Sequence, residues 1–472
     1  MAATKSNSAI ETLEKPLSKW RFNSFRSGGK RPELVPIVNK ANVLLYSLFG
    51  ASGVLGGSVI NKIGPRYALM IGATGYPVYA GSLWWIDKGE GTWFTLFGGA
   101  WLGCSAGLLW STQGYITTCY PTESKKGKYI AITWTLNAIG SLVGAAVVLG
   151  VTINNTSTSG VPSSVYLTFI CLEVFGLLIA GFLMDPAKLR RDDGQPIASF
   201  EPLPWYQELK MLGKTLVEPK MTLITLGIFS SEMYLSMASS FNSWYFDART
   251  RALANLGYWV FQILGSLAVA FVCDSRIFGS RRQRAFFALG LVGIVIGGTW
   301  IAMLSFLGTH KINRHDPPPG NDWSNAAFGG PFVIYMFLGA CYPIYQNFHQ
   351  WAYSTFSNEP HVLGRYSGYF KGVQAWGTAV AFGIDSHEVP FIHEAAAYCS
   401  LMMAGLALTA VSIYRNTLNT RYGMEEGVAI PKESRDFIPG YALEDSTDPN
   451  SVTIGVEGKT SQHDSDKAST AA

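Results

Sequence analysis

The sequence predicts an all-α polytopic membrane protein, and three observations carry that prediction. Hydrophobic residues fill 48% of the 472 positions and charged residues 14%, with a mean hydropathy of +0.18. This composition suits a membrane body with polar tails better than a soluble enzyme. Eleven apolar runs are centred near 43–60, 67–86, 93–118, 129–150, 164–184, 221–244, 253–273, 285–307, 330–354, 366–384 and 395–414. Each approaches the ~20 residues that a helix needs to cross the hydrocarbon core. Finally, lysines and arginines gather in alternate connections between the runs, the asymmetry that membrane insertion imposes.

Taken in order, the connections set an orientation. Lys62 and Arg66 follow the first run, Lys125, Lys126 and Lys128 the third, and Arg276, Arg281, Arg282 and Arg284 the seventh. These loops belong in the cytoplasm. The intervening "DKGEGT" and "NNTSTSGVPS" carry little or no positive charge and belong outside or in a lumen. The second holds overlapping glycosylation sequons at Asn154 and Asn155, which agrees with that side. The first forty residues lack an apolar core, so no cleavable signal peptide is expected.

Other classes find no support. The net charge of +4 is spread over loops and makes no nucleic-acid footprint. The six cysteines stand singly in or beside apolar runs, without metal or redox spacing, and read as small buried hydrophobes. No zincin, nucleophile-elbow or phosphate-loop motif occurs. Neither an enzyme nor a cofactor is expected.

The N-terminal segment conflicts with this orientation. Residues 1–42 would lie outside, yet they hold Lys5, Lys15, Lys19, Arg21, Arg26, Lys30, Arg31 and Lys40. One further span ahead of residue 42 would return most of this charge to the cytoplasm. An internal repeat makes the same demand. Asn42 to Asn61 matches Asn255 to Asp274, and "GKYIAITWTLNAIGS" from Gly127 matches "GRYSGYFKGVQAWGT" from Gly364 without a gap. The second copy is preceded by the apolar run at 221–244, whereas the first is preceded by "SAIETLEKPLSKWRFNSFRSGGKR", which cannot span. The expected organisation is a basic segment at 1–42, a bundle at 43–184 with five spans and its first one missing, a charged cytoplasmic linker with amphipathic pieces at 185–220, a six-span bundle at 221–415, and a disordered polar tail at 416–472.

Four ordered blocks, "GGAWLGCSAGLLWSTQGYITTCYPTESKKGKYIAITW", "FNSWYFDARTRALANLGYWVFQILGSL", "DSRIFGSRRQRA" and "GRYSGYFKGVQAWGTAVAFGID", resemble the Unc-93-like family of the major facilitator superfamily, its fungal members above all. The resemblance covers roughly residues 40–415 and implies two six-helix bundles around a central cavity, of which about eleven helices are present here. Members of the family are described as transporters, or as regulatory and trafficking partners of other membrane proteins, including potassium channels and innate immune receptors. "GSVINKIGPR" also resembles the superfamily's cytoplasmic loop motif, through Gly57, Asn61, Lys62, Gly64 and Arg66. Asn61 stands where that motif has an acid and Pro65 where it has a base, which puts the usual charge-paired gate in doubt.

Candidate cavity residues follow from helical faces. Ser367, Lys371, Gln374, Thr378 and Asp385 form one polar stripe, beside a ridge of Gly364, Gly368 and Gly372 where another backbone can approach. A lysine inside a span costs about 3 kcal/mol unless it faces water, a cavity or a counter-charge. Lys371 therefore leads the candidates, the alternative being that it snorkels to the cytoplasmic edge. Gly99, Gly103 and Gly107 form a second ridge near Gln113, which either bonds a neighbouring helix or meets a solute. Glu232 and Glu173 are carboxylates within apolar runs and must be protonated or paired; each is read as a coupling group or as a structural one. Asn137 and Gln262 complete the set.

Two function classes remain. One is a secondary carrier of a small solute, with coupling to protons. The other is a non-transporting partner that regulates or escorts membrane proteins. Both imply an integral multi-pass protein in the bilayer, with the particular membrane and the solute unspecified.

Overall fold

A computed structural model describes residues 35–152, 163–183, 203–425 and 428–431. Among these residues the chain is helical apart from short connections and one isolated bridge between Phe246 and Asn321. The helices are α1 (Val35–Ala73), α2 (Gly75–Asp87), α3 (Trp93–Cys119), α4 (Lys126–Thr152), α5 (Ser163–Ala180), α6 (Trp205–Leu216), α7 (Pro219–Thr222), α8 (Thr225–Ser230), α9 (Tyr234–Tyr245), α10 (Ala248–Asp274), α11 (Arg281–Thr309), α12 (Gly329–Ser354), α13 (Pro360–Ser386) and α14 (Phe391–Asn416).

All eleven apolar runs are helical, but only seven described stretches are long and apolar enough to cross a membrane by composition alone. The expected count of about eleven spans is thus supported only roughly. α3 is diluted by glycines and hydroxyls, and α13 carries the polar stripe. The second run is divided between the end of α1 and α2. Within α1 the turn between the first two runs is at Gly64, whose φ of 81° and ψ of 159° suit a residue without a side chain. Pro65 follows and withholds a helical donor.

The packing follows the sequence repeat. α1 packs on α3 as α10 packs on α12, and α2 on α5 as α11 on α14. The seams between halves are exchanged in the same way, with α1 against α13 and α10 against α4. At the first seam the ridge glycines meet glycines. A Cβ on Gly368 would lie 2.7 Å from the Gly53 carbonyl oxygen and the Gly57 nitrogen, and one on Gly53 would lie 2.9 Å from Gly372 Cα. At the second seam Asp274 accepts from the backbone N–H groups of Gly127 at 3.0 Å and Lys128 at 2.6 Å, satisfying donors that the start of α4 leaves open.

Polar clusters lie on both sides of the membrane body. On the side of the basic loops Glu123 pairs with Arg281 at 2.7 Å and accepts from Asn358 at 2.7 Å. Burial pushes the Glu123 carboxyl up, but Arg281, Lys126 and its hydrogen-bond donors outweigh this and hold it below the ordinary value. Residues after α14 join this cluster: Arg421 N–H donates to Glu123 at 3.1 Å, and Tyr422 OH accepts from the Glu123 N–H at 3.2 Å. Arg421 and Tyr422, within the segment expected to be a polar tail, are thus used in packing. On the opposite side, Arg314 reaches from its loop to Asp385 and Glu394, each at 2.9 Å.

The halves differ in one respect. α8 packs on α13 and α14, and α9 on α13, α14 and α10; among the described residues no element stands in the matching place beside α4 and α5. Leu136 is 65% exposed on α4, while its repeat partner Val373 on α13 is 7% exposed. A Cβ on Gly377 would lie 2.8 Å from the Phe229 carbonyl carbon in α8, whereas one on the matching Gly140 meets nothing within 4 Å. Gly377→Ala is expected to cost about 1–3 kcal/mol through overpacking, whereas Gly140→Ala should be neutral within about 0.5 kcal/mol. Thermal melts of the purified variants check this, and equal shifts would show that the two faces are packed alike.

Candidate functional site

The site begins with a broken helix. The run at 221–244 is divided into α7, α8 and α9, and Ser231 and Glu232 lie in the turn between α8 and α9. "FSSEM" favours a break there, since serine side chains compete for backbone groups. Ser231 Oγ donates to the Ile228 carbonyl at 2.7 Å. Its remaining lone pair faces α13.

From α13, Gln374 joins most of the cluster. Its Oε1 accepts from Lys371 Nζ at 2.9 Å, and its Nε2 donates to Ser231 Oγ at 2.8 Å and to Gln346 Oε1 at 2.7 Å. One turn on, Thr378 Oγ1 lies 3.1 Å from Glu232 Oε2 and 3.0 Å from the Gln374 carbonyl. The Tyr342 hydroxyl donates to Glu232 Oε1. Lys371 is 3% exposed and Glu232 8%, so neither charge relies on bulk water. The pair is linked through Gln374 and Thr378 without a direct ion pair among the described residues.

The first half supplies aromatic walls. Lys371 Nζ sits 5.2 Å from the centre of the Trp110 ring of α3, an attraction that strengthens away from water. The Trp110 indole N–H donates to Tyr76 OH at 2.8 Å. Trp134 of α4 meets Tyr342 edge to face at 4.9 Å. The cluster thus spans the junction of the two halves, with its charges on one and aromatic faces on the other.

Several buried polar atoms on α4, α10 and α12 lack partners among the described residues. Gln262 on α10 is 0% exposed, and both its Oε1 and Nε2 are unpaired. One turn along, Ser266 Oγ accepts from Asn347 Nδ2 at 2.9 Å, leaving Asn347 Oδ1 unpaired. The Trp134 indole N–H is also unpaired. Buried polar groups normally find hydrogen bonds, so these atoms keep bonding capacity for a polar molecule or water.

The candidates from sequence have separate fates. Lys371, Gln374, Thr378 and Glu232 come together, and Gln262 is buried as described. Glu173 is half-buried on α5, outside the cluster, and its Oε2 has no hydrogen-bond partner among the described residues. Gln113 is half-buried on α3 and makes no hydrogen bond to the cluster. Asn137 is exposed on α4, and among the described residues no helix covers the face it shares with Leu136. Asn154 and Asn155 lie outside the described residues. Sequence reading missed Tyr342, Gln346 and Asn347, although polar side chains in "YPIYQNFHQ" within an apolar run were a usable signal.

The loop motif is held at one end of the seam between α1 and α13. Gly57 packs against α13, Gly64 forms the turn, and Arg66 lies 6.0 Å from the Tyr67 ring centre. Lys62 Nζ donates to the Leu203 carbonyl at 3.3 Å. Asn61 Nδ2 lies 3.3 Å from both carboxylate oxygens of Glu208 on α6, and Arg365 NH1 lies 3.2 Å from both. A carboxylate from the linker therefore occupies the region where the loop has lost its acid.

Replacing Gln374 by leucine would leave the Lys371 ammonium and Gln346 without their bonds. The expected cost is about 1–3 kcal/mol, read as a lower melting temperature. An unchanged melt would show that the cluster is not held by Gln374.

Comparison with known proteins agrees with this architecture. The family model described as "Ion channel regulatory protein UNC-93" matches residues 40–272. The UNC93-like protein C922.05c of Schizosaccharomyces pombe is 32% identical over 412 residues, covering 86% of this chain and 81% of that protein. UNC93-like protein 1 of Arabidopsis thaliana is 30% identical over 429 residues, covering 86% and 93%. Among solved structures, the fucose:proton symporter FucP of E. coli aligns with a TM-score of 0.55 at 12% identity, over 88% of this chain and 98% of that one. The xylose transporter XylE from E. coli aligns with a TM-score of 0.54 at 13% identity, over 88% and 94%. These two likenesses establish the fold, and the relatives establish the family: the chain is an integral multi-pass membrane protein of the UNC93-like family, built on the major facilitator fold.

Proposed function

We propose that the protein is a secondary carrier for a small polar solute, with the cluster around Gln374 as its binding and coupling centre. The observation that carries this reading is the set of unpaired buried atoms on Gln262, Asn347 and Trp134 beside a charged cluster at the junction of the halves. Amide and indole groups suit a neutral solute with hydroxyl or amide groups, because each can satisfy a polar atom without a net charge. Lys371 anchors the cluster and Glu232 is the group that holds or releases a proton. Its position at a helix break favours the role, since discontinuous helices form the sites of many carriers. The symporters named above share the fold, which makes such a cavity mechanically reasonable.

A second reading has its own support. The open face of α4 around Leu136 and Gly140 could seat a helix of another membrane protein, in line with a regulatory role. Flux of labelled polar solutes into proteoliposomes tests the first reading: Lys371→Ala and Glu232→Gln should each lower flux by about 10²-fold at equal protein content, the scale at which misplaced site groups act. Unchanged flux in both variants would remove the site assignment. If the partner reading is right instead, Gly140→Trp abolishes complementation of a deletion strain and Glu232→Gln does not.

A further inference from the structure

The linker helix α6 carries three distinct faces. Glu208, Leu212 and Thr215 recur at helical spacing and are buried against the protein, at 0%, 5% and 5% exposure. A second arc is apolar and exposed, with Trp205 at 47%, Tyr206 at 76%, Leu209 at 51% and Leu216 at 43%. A third, beside it, carries Lys210 and Lys214, both exposed. The inner face explains only the first arc. Indole and phenol rings next to lysines form the pattern of a helix lying in the membrane interface, apolar side chains down and ammonium groups at the headgroups.

Position supports the same reading. α6 ends at Leu216, and the membrane-spanning stretch begins at Pro219. The two intervening residues reach about 7–10 Å, so the end of α6 cannot lie far from the bilayer surface. The loop charges place that surface on the cytoplasmic side, where anionic lipids attract lysines.

The inner face has a separate task. In the second half, Asp274 meets the start of α4 directly. The repeat partner of Asp274 is Asn61, whose neutral side chain cannot pair with Arg365 at the start of α13. Glu208 makes up the difference, accepting from both residues while 0% exposed; His361 Nδ1 lies 3.8 Å away. The carboxylate therefore ties α1 and α13 together from a third element.

We propose that α6 is an interfacial helix docked on the anionic lipid of the cytoplasmic leaflet, and that this docking holds Glu208 in place as the latch of the seam between α1 and α13. Displacing α6 removes the carboxylate from Arg365 and leaves the direct bond from Asn61 Nδ2 to the His361 carbonyl, 3.1 Å, to hold this end of the seam without a charge pair. The inference is independent of whether a solute moves, because the seam can be read directly.

The test uses full-length protein with Cys104, Cys119, Cys171, Cys273, Cys341 and Cys399 replaced by alanine, in vesicles of phosphatidylcholine with or without phosphatidylserine. A nitroxide on Leu209→Cys should collide more with oxygen than with a water-soluble nickel complex; the reverse order overturns the docking. Val54→Cys, buried in α1 against Gly372 of α13, reports the seam through its rate of alkylation from the cytoplasmic side. Adding Glu208→Gln should raise that rate about tenfold or more, as expected when a buried charge pair loses one partner, and Glu208→Asp should recover part of the loss. The pair Lys210→Glu and Lys214→Glu should accelerate alkylation in vesicles containing phosphatidylserine and leave it unchanged in phosphatidylcholine alone. Equal rates for wild type and Glu208→Gln overturn the latch. If Glu208→Gln aggregates, the lysine variants decide, since they alter only the exposed arc: rates unaffected by phosphatidylserine overturn the proposal.

Discussion

The close approach of α1 and α13 is the constraint on which the rest of the site depends. Gly53 and Gly57 face Gly364, Gly368 and Gly372, so the two backbones meet without intervening side chains. Lipid chains are as apolar as leucine, so helices in a membrane gain little from the hydrophobic effect and rely on such packing. With α13 held this close, Lys371 lies over Trp110 and Gln374 reaches the break before α9. A larger residue on the ridge would push α13 outward and separate charges that stabilise one another only in contact.

That packing makes a buried polar cluster tolerable. An ammonium and a carboxylate away from water are costly unless their hydrogen bonds are filled. Lys371 has the Gln374 amide and the Trp110 face, while Glu232 has Tyr342 and Thr378. The amide of Gln262 has neither kind of support among the described residues. Filled and unfilled polar groups thus occur side by side in the membrane body. The two seams differ as well: Asp274 serves its own, whereas at the other Asn61 shares the task with Glu208 from the linker.

Much of the fold was legible because its signals are local. Apolar runs, lysine placement and the glycine ridges each reflect a constraint felt within one helix, and the repeat follows from copying those helices. The polar stripe from Ser367 to Asp385 was legible for the same reason, since steps of three, four and seven residues put side chains on one face. The partners of that stripe were harder to read. Tyr342, Gln346 and Ser231 lie on other helices, and no spacing within α13 indicates which neighbour faces it.

By itself the sequence determined the membrane body, the duplicated order of helices, the face of α13 that turns inward, and the excess of basic charge ahead of the first run. Tertiary structure alone decided that Asn137 faces outward while its repeat partner Gln374 is buried at the centre. The two residues occupy equivalent positions in similar helices, but α8 and α9 cover one of them and no described element covers the other. Tertiary structure also brought Glu208 to Asn61 and Arg365, across 147 and 157 residues. Burial and pairing belong to the neighbours of a residue as much as to the residue, and those neighbours are set only when helices distant in sequence pack together.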